Sequence, residues 1–416
     1  MTHSPPHDGS GSQNRGTKLS VETRLATRGR RPFAHSGFVN IPTHRGSTVL
    51  YETYADLKNP ERKAEKSPDG RVYTYGRRGS PTITALEDAL ADLEDAERVF
   101  LTPSGLSAIS TVLFALANAG DHILVTDSTY QPARTFCDNQ LRRFGVETEY
   151  YDPLIGGGIA DLIRPNTRLV YTESPGSQTF EIQDLSPIAA AAKARGVLVV
   201  TDNTWATPLF FRPFDFGADV TINAGTKYVV GHADALLGVI AARGSAVQAI
   251  HQCHGDLGVS VGPDDVTLAL RGLRTMTVRL ERHQASAIRF AEWLETRTEI
   301  ERVIHPALPS HPQHALWKTY FTGSTGLFSA VLKPQPEGAV AALFDALNVF
   351  GMGFSWGGYE SLAVPFDCAE SRTATEADLG GQGIRFHIGL EDPADLMADF
   401  EAALDRMRAL AKRLRP

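Results

Sequence analysis

The strongest constraint in this sequence is a repeated alternation. Short apolar runs at His122–Thr126, 168–173, 197–202 and 219–224 are separated by segments of helical character, such as the Ala-rich 188–195. Strands buried on both faces read as continuous apolar runs, and parallel neighbours need a helical crossover between them. The alternation therefore predicts a mostly parallel sheet covered by helices on both sides, an α/β fold. The chain has 416 residues, 42% hydrophobic and 21% charged, which excludes a disordered or fibrous protein and leaves room for two or three globular units. No apolar run approaches the ~20 residues that span a bilayer, so no membrane association is expected. A net charge of −7 argues against nucleic acid as the main ligand. Cys137, Cys253 and Cys368 are far apart with no CxxC pair, a usage that fits a reducing, cytoplasmic compartment.

Residues 1–18 are rich in Gly, Ser, Pro and His and lack the apolar core of a secretory signal, so they read as a mobile tail. Residues 19–79 show little periodicity and carry turn signals at Asn59-Pro60 and Asp69-Gly70, which suits an arm rather than a domain. Ser80 as cap and Pro81 at the first helical position then start a helix with Leu86, Leu90 and Leu93 on one face. Residues 99–101 read as a strand, followed by the turn Thr102-Pro103-Ser104-Gly105 and a helix bearing Leu106, Ile109, Val112, Leu113 and Leu116. The large α/β domain is assigned to 80–270. A long amphipathic stretch, 264–298, leads into a smaller α+β domain, 271–416, in which Leu327–Leu332 and 384–390 read as strands. A last helix opens on Asp392 and Pro393 and carries Leu396, Phe400, Leu404 and Met407 on one side.

In an open parallel sheet, ligands bind beyond the carboxyl ends of the strands, so the chemistry is sought there. Ser104-Gly105-Leu106 lies between a strand and a helix, where free N–H groups and the helix dipole suit a phosphate, although many such turns hold no ligand. Asp202 ends an apolar run, and a buried carboxylate needs a partner: it is either a cap or the counter-ion of a bound cation. Lys227 is reached directly from the run Val220–Asn223 through Ala224-Gly225-Thr226. A desolvated lysine loses proton affinity and becomes a usable nucleophile or imine partner, whereas the plainer alternative is a lysine snorkelling at the sheet edge. Together the three match what pyridoxal phosphate needs: an amine for the aldehyde, an acid for the pyridine nitrogen and a helix start for the phosphate.

At these residues the chain resembles the cystathionine β-lyase branch of the Cys/Met-metabolism enzymes that use pyridoxal phosphate. The matching runs are Tyr75-Gly76-Arg77-Arg78-Gly79, Pro103-Ser104-Gly105-Leu106, Tyr130-Gln131-Pro132, Glu173-Ser174-Pro175-Gly176-Ser177 and Asp202-Asn203-Thr204-Trp205-Ala206. They continue, in order, through Thr226-Lys227-Tyr228-Val229-Val230-Gly231-His232, Ser355-Trp356-Gly357-Gly358-Tyr359-Glu360-Ser361-Leu362 and Ile384-Arg385-Phe386-His387-Ile388-Gly389-Leu390-Glu391. The resemblance implies the aspartate-aminotransferase type of fold (fold type I) and pyridoxal 5'-phosphate as cofactor. It implies that Lys227 is the Schiff-base lysine and proton carrier, that Asp202 pairs with the pyridine nitrogen, and that Tyr130 stacks on the ring and assists proton transfer. The N–H groups of Gly105 and Leu106, with the Thr226 hydroxyl, would hold the phosphate. Tyr75 and Arg77, from the arm, would complete the site of a neighbouring subunit, which makes the assembly a homo-oligomer, a tetramer of two dimers. Arg385, with Ser355, Trp356 and Tyr75, would bind the substrate's α-carboxylate. The residues support part of this on their own: Ile384, Phe386 and Ile388 alternate with Arg385 and His387, so the polar pair shares one strand face. Ala224 stands where many relatives place a phosphate-binding Ser, so one contact is missing or supplied from elsewhere.

Phe354 and Trp356 hold the places where γ-acting relatives often carry Glu and a small aliphatic residue, and Phe354 stands in for the Tyr of β-lyase relatives. The expected reaction is therefore β-elimination from cystathionine or a related cysteine S-conjugate, giving a thiol, pyruvate and ammonia. The alternative is a γ-acting relative: cystathionine γ-lyase, γ-synthase or methionine γ-lyase. A rival from another class is a serine hydrolase, because Gly353-Phe354-Ser355-Trp356-Gly357 fits a nucleophile elbow with Asp367 and His387 following in order. Only 61 residues (416 minus 355) then remain for the rest of that fold. His251 and His254 flank Cys253, and His311 lies near His314, but neither spacing forms a metal set, and no metal is expected.

Overall fold

The computed structural model describes residues 19–59, 61–62 and 70–414. The tail assigned to 1–18, together with Pro60 and Asp69 of the turn signals, lies outside the described residues. Seven strands form the large sheet: β1 (Arg98–Thr102), β2 (His122–Thr126), β3 (Glu147–Tyr151), β4 (Thr167–Glu173), β5 (Leu198–Asp202), β6 (Val220–Asn223) and β7 (Gly238–Ala242). Their order is β1-β7-β6-β5-β4-β2-β3. β2 to β6 run parallel, and β7 is antiparallel to both β6 and β1. The four apolar runs of the sequence are β2, β4, β5 and β6. β3 and β7 gave no such signal. β3 is the polar edge segment ETEYY, and β7 is a Gly- and Ala-containing strand that is wholly buried.

Helices cover both faces. On one, Leu86, Leu90 and Leu93 of α1 (Pro81–Glu94) pack with Leu101, Leu124, Val170, Val199 and Val239. On the other, Ile109, Val112 and Leu113 of α2 (Gly105–Leu116) pack with Ile123, Leu169, Val200 and Ile240. Both helices begin as their sequences require. Ser80 accepts from the Ile83 N–H at 3.4 Å ahead of Pro81, and Ser104 accepts from the Ser107 N–H at 3.1 Å.

A second, antiparallel sheet contains β8 (Ile300–Ile304), β9 (Leu327–Leu332), β10 (Leu362–Phe366) and β11 (Gly383–His387), ordered β10-β11-β9-β8. The amphipathic stretch 264–298 divides at Arg274-Thr275 into the helix Pro263–Leu273 and α3 (Met276–Glu295). With α4 (Pro393–Leu414), α3 covers this sheet around Phe290, Phe328, Phe350, Phe386 and Phe400. Phe386 packs edge-on against Phe350 and Phe400 at 5.8 and 5.2 Å.

A buried carboxylate ties the two sheets together. Asp127, directly after β2, accepts the N–H groups of Thr373, Ala374 and Thr375 at 3.0, 3.1 and 2.8 Å, and the Thr375 hydroxyl at 2.7 Å. It is also paired with Arg134. Burial alone would raise its proton affinity, but these hydrogen bonds and the Arg134 cation hold it below the usual carboxylate value. A carboxyl lowered in the folded state contributes its full stability above its unfolded value, about pH 4, and loses it as pH falls further. Removing the carboxylate leaves three amides without their acceptor and Arg134 with only neutral ones, the Asp127 carbonyl and the Thr373 hydroxyl. Asp127→Ala is expected to lower the unfolding free energy by about 3 kcal/mol or more, measured by denaturant titration at pH 7. The gap between variant and parent should narrow below about pH 4.

Candidate active site

Residues from both sheets meet beyond the carboxyl ends of β4, β5 and β6. β5 ends on Asp202, whose register partner on β4 is Glu173, so two carboxyl groups stand side by side. Asp202 is buried; its Oδ1 accepts the Thr204 N–H at 2.9 Å and hydroxyl at 2.5 Å, and its Oδ2 accepts the Tyr171 hydroxyl at 3.3 Å. Thr204 is fixed in turn, because its Oγ1 accepts the Ala224 N–H at 2.8 Å. Burial pushes the Asp202 carboxyl upward, opposed by Thr204, Tyr171 and the Lys227 cation. Glu173 is driven well above the usual range by burial and then by the facing Asp202. Such a pair favours one negative charge over two. Glu173 Oε2 accepts the Tyr130 N–H at 2.7 Å and the Thr129 hydroxyl at 3.3 Å, which sets Tyr130 at the rim of the site. Burial, and then Glu173 and Asp202, raise the Tyr130 phenol, so it keeps its proton at neutral pH.

Lys227 follows β6 through a turn closed by its own N–H on the Ala224 carbonyl at 3.0 Å. Its Nζ donates to Ser355 Oγ at 2.7 Å and lies 5.3 Å from the centre of the Trp356 ring. Burial, and then repulsion from Arg385, lowers the amine to about 8, with Asp202 opposing. Ser355 has φ +83°, in the left-handed region that non-glycine residues rarely adopt. Its carbonyl accepts from Arg385 at 3.3 Å. Arg385 and His387 share one face of β11, while Ile384 and Phe386 point into the aromatic core. Burial lowers the Arg385 guanidinium, and Tyr130 opposes this.

The helix start lies beside the lysine turn. Ser104 satisfies the Ser107 N–H, which leaves the Gly105 and Leu106 N–H groups at the open end of α2. A Cβ on Gly105 would fall 2.6 Å from the Ala224 Cβ, so this end of α2 rests on the turn that leads to Lys227. The Thr226 hydroxyl donates to the Leu237 carbonyl at 3.2 Å and accepts its N–H at 2.9 Å, so its proton is already engaged. Tyr75 and Arg77 lie apart from the cluster: Arg77 donates to the Gly255 carbonyl at 2.9 Å, and Tyr75 is half exposed. Among the described residues no hydrogen bond joins either of them to Lys227. A low-affinity amine, a buried acid facing it and an open helix start form a donor set that fits pyridoxal phosphate.

The hydrolase constellation is not assembled. Ser355 is bonded to an amine, His387 Nε2 to the backbone of Gly357 and Gly358, and Asp367 to the Ala369 N–H. His254 meets the Leu101 carbonyl and His314 the Pro306 carbonyl, and among the described residues no cluster has metal-ligand geometry. Two participants escaped the sequence reading. Glu173 and Thr204 both sit inside motifs without a role of their own; the strand-end rule that singles out Asp202 applies equally to Glu173, whereas a threonine after a strand is ordinary.

Residues 22–405 match the family model described as Cys/Met metabolism PLP-dependent enzyme. The chain belongs to that family. Its cofactor is accordingly pyridoxal 5'-phosphate. A Rhizobium johnstonii protein with a provisional cystathionine β-lyase name is 48% identical, over 92% of this chain and 95% of its own. The L-alanine/L-glutamate racemase of Wolbachia pipientis is 41% identical, covering 94% and 98%. The cystathionine β-lyase MetC of Escherichia coli is 39% identical, covering 93% and 98%. The crystal structure of metB from Corynebacterium glutamicum matches with a TM-score of 0.85 at 28% identity, over 93% of this chain and 98% of that one. The Cys/Met-metabolism assignment gives the lowered Lys227 amine a measurable consequence. Only the neutral amine captures an aldehyde, so cofactor uptake by the cofactor-free protein should quicken about tenfold per pH unit below about pH 8 and level off above it. Stopped-flow absorbance between pH 6.5 and 9.5 checks this.

Proposed function

We infer that this chain is a pyridoxal-phosphate carbon–sulfur β-lyase that cleaves cystathionine, or a related cysteine S-conjugate. With cystathionine the balanced reaction consumes one water and yields homocysteine, pyruvate and ammonia. The observation that carries the reading is the Lys227 amine, lowered to about 8 and set between Ser355, Trp356 and Arg385. The relatives named cystathionine β-lyase support it. So does Phe354, which offers no carboxylate to a γ-substituted substrate.

When bound, the cofactor supplies an electron sink that makes the substrate's Cα proton removable. The protein supplies the rest. Arg385 takes the α-carboxylate in a two-pronged ion pair, flanked by Ser355 and Trp356. Lys227 removes the Cα proton, and Lys227 or the protonated Tyr130 delivers a proton to the departing sulfur. Asp202 would hold the pyridine nitrogen in its charged form. The Gly105 and Leu106 N–H groups, with the Thr226 hydroxyl, would hold the phosphate. Tyr75 and Arg77, on the arm 19–79, complete the site of a neighbouring copy in a cytoplasmic homotetramer of two dimers. The large domain, 80–270, carries the cofactor, and 271–416 brings the carboxylate-binding residues.

One relative's name favours a second reading, amino-acid racemisation, which needs the same Cα proton transfer and no leaving group. A coupled pyruvate assay on cystathionine and a panel of S-substituted cysteines, with L-alanine and a γ-substituted substrate as controls, separates them. Pyruvate should dominate, and Lys227→Ala should lower kcat about 10²- to 10⁴-fold. Faster release of 2-oxobutyrate would replace β- by γ-elimination, and faster formation of D-alanine would replace lysis by racemisation.

A further inference from the structure

Two histidines that the reaction does not use lie beneath the loop that holds Lys227. His387, on β11, is buried, and its Nε2 meets the Gly357 N–H and the Gly358 carbonyl, each at 3.1 Å. Both contacts fall on consecutive residues, so in either ring tautomer Nε2 is the atom that grips this stretch of backbone. His283, on α3, is equally buried and meets the Ile388 carbonyl through Nδ1 at 2.7 Å. The two ring centres are 5.2 Å apart. The nitrogens left over, His387 Nδ1 and His283 Nε2, are buried without partners among the described residues. The working contact of His387 is therefore on Nε2 alone.

The gripped backbone bears directly on the lysine. Gly357 has φ +88°, and a Cβ there would lie 2.9 Å from Lys227 Cα, so its peptide rests on the lysine's main chain. Two residues earlier, Ser355 is kept at its unfavourable φ while its Oγ accepts from Lys227 Nζ. Left to itself, a serine would leave that conformation. Arg385 restrains the Ser355 carbonyl at one end of the loop, and His387 restrains the other. Because Arg385 is the residue assigned to the substrate's carboxylate, His387 is the restraint that stays in place when substrate arrives.

We propose that His387 is a positioning residue for Lys227, acting through the Gly357–Gly358 backbone to keep the Ser355 hydroxyl on the lysine amine. The proposal rests on the assignment of Lys227 made above. Without the Nε2 contact, Ser355 relaxes and the amine loses its acceptor. Proton transfer then slows, while carboxylate binding at Arg385 is little changed.

His387→Gln and His387→Asn separate this role from simple packing, since both keep a neutral polar side chain. Glutamine carries its amide to the level of Nε2, whereas asparagine reaches only the level of Nδ1. The measurements are kcat and KM with a cysteine thioether, and the pH midpoint of the visible cofactor band without substrate. His387→Asn should lower kcat about tenfold with KM within about threefold, and should move the midpoint by about half a pH unit. His387→Gln should stay within about twofold in kcat with the midpoint unmoved. In a Ser355→Ala background, His387→Asn should add less than about a further twofold, because both changes remove the same contact. Wild-type behaviour of His387→Asn, equal damage by both variants, or full additivity with Ser355→Ala would overturn the proposal. Absence of any visible cofactor band in the wild-type holoenzyme would instead overturn the Lys227 assignment, and the proposal with it.

Discussion

A lysine amine taken partly out of water and held by a serine hydroxyl is the contact the rest of this molecule supports. The large sheet contributes the lysine at the end of β6, and the small sheet contributes the serine and the arginine behind it. Neither sheet alone has a site. Burial makes the amine less basic, and Arg385 acts in the same direction. The same guanidinium has the fork geometry that pairs with a carboxylate, while its charge tunes the amine.

The paired carboxyls at the ends of β4 and β5 follow from parallel register. Adjacent parallel strands bring equivalent residues level, so acids in matching last positions must face each other. Asp202 is the better hydrogen-bonded of the two and faces the cation, whereas Glu173 spends its oxygen on the Tyr130 amide and the Thr129 hydroxyl. The pair thus divides its work: one acid faces the Lys227 amine and the other fixes Tyr130 at the rim.

Much of this was legible before any coordinates. β2, β4, β5 and β6 announce themselves because strands buried on both faces must be apolar throughout. β3 does not, since an edge strand tolerates Glu and Thr, and β7 does not, since Gly238 and Ala242 are weak strand formers that only tertiary packing accommodates. Lys227 and Asp202 could be named because each is costly to bury without purpose, whereas Arg385 stood out only through the family resemblance. His387 was seen to share a face with Arg385, but its grip on Gly357 and Gly358 depends on a loop thirty residues earlier in the chain. Asp127 escaped for the same reason: its partners, Thr373 to Thr375, come from the far end of the sequence. Local pattern reveals what a residue is, and only the folded chain reveals what it touches.

The missing Cβ of Gly357 has an evolutionary corollary. Any larger side chain there would collide with the main chain of Lys227, so that position is closed to variation. Phe354, almost fully exposed, carries no such restriction, whereas Trp356 is packed between Tyr228 and the Lys227 amine. A lineage can therefore vary the Phe354 flank of this loop while its pivot, and with it the Lys227 amine, stays where it is.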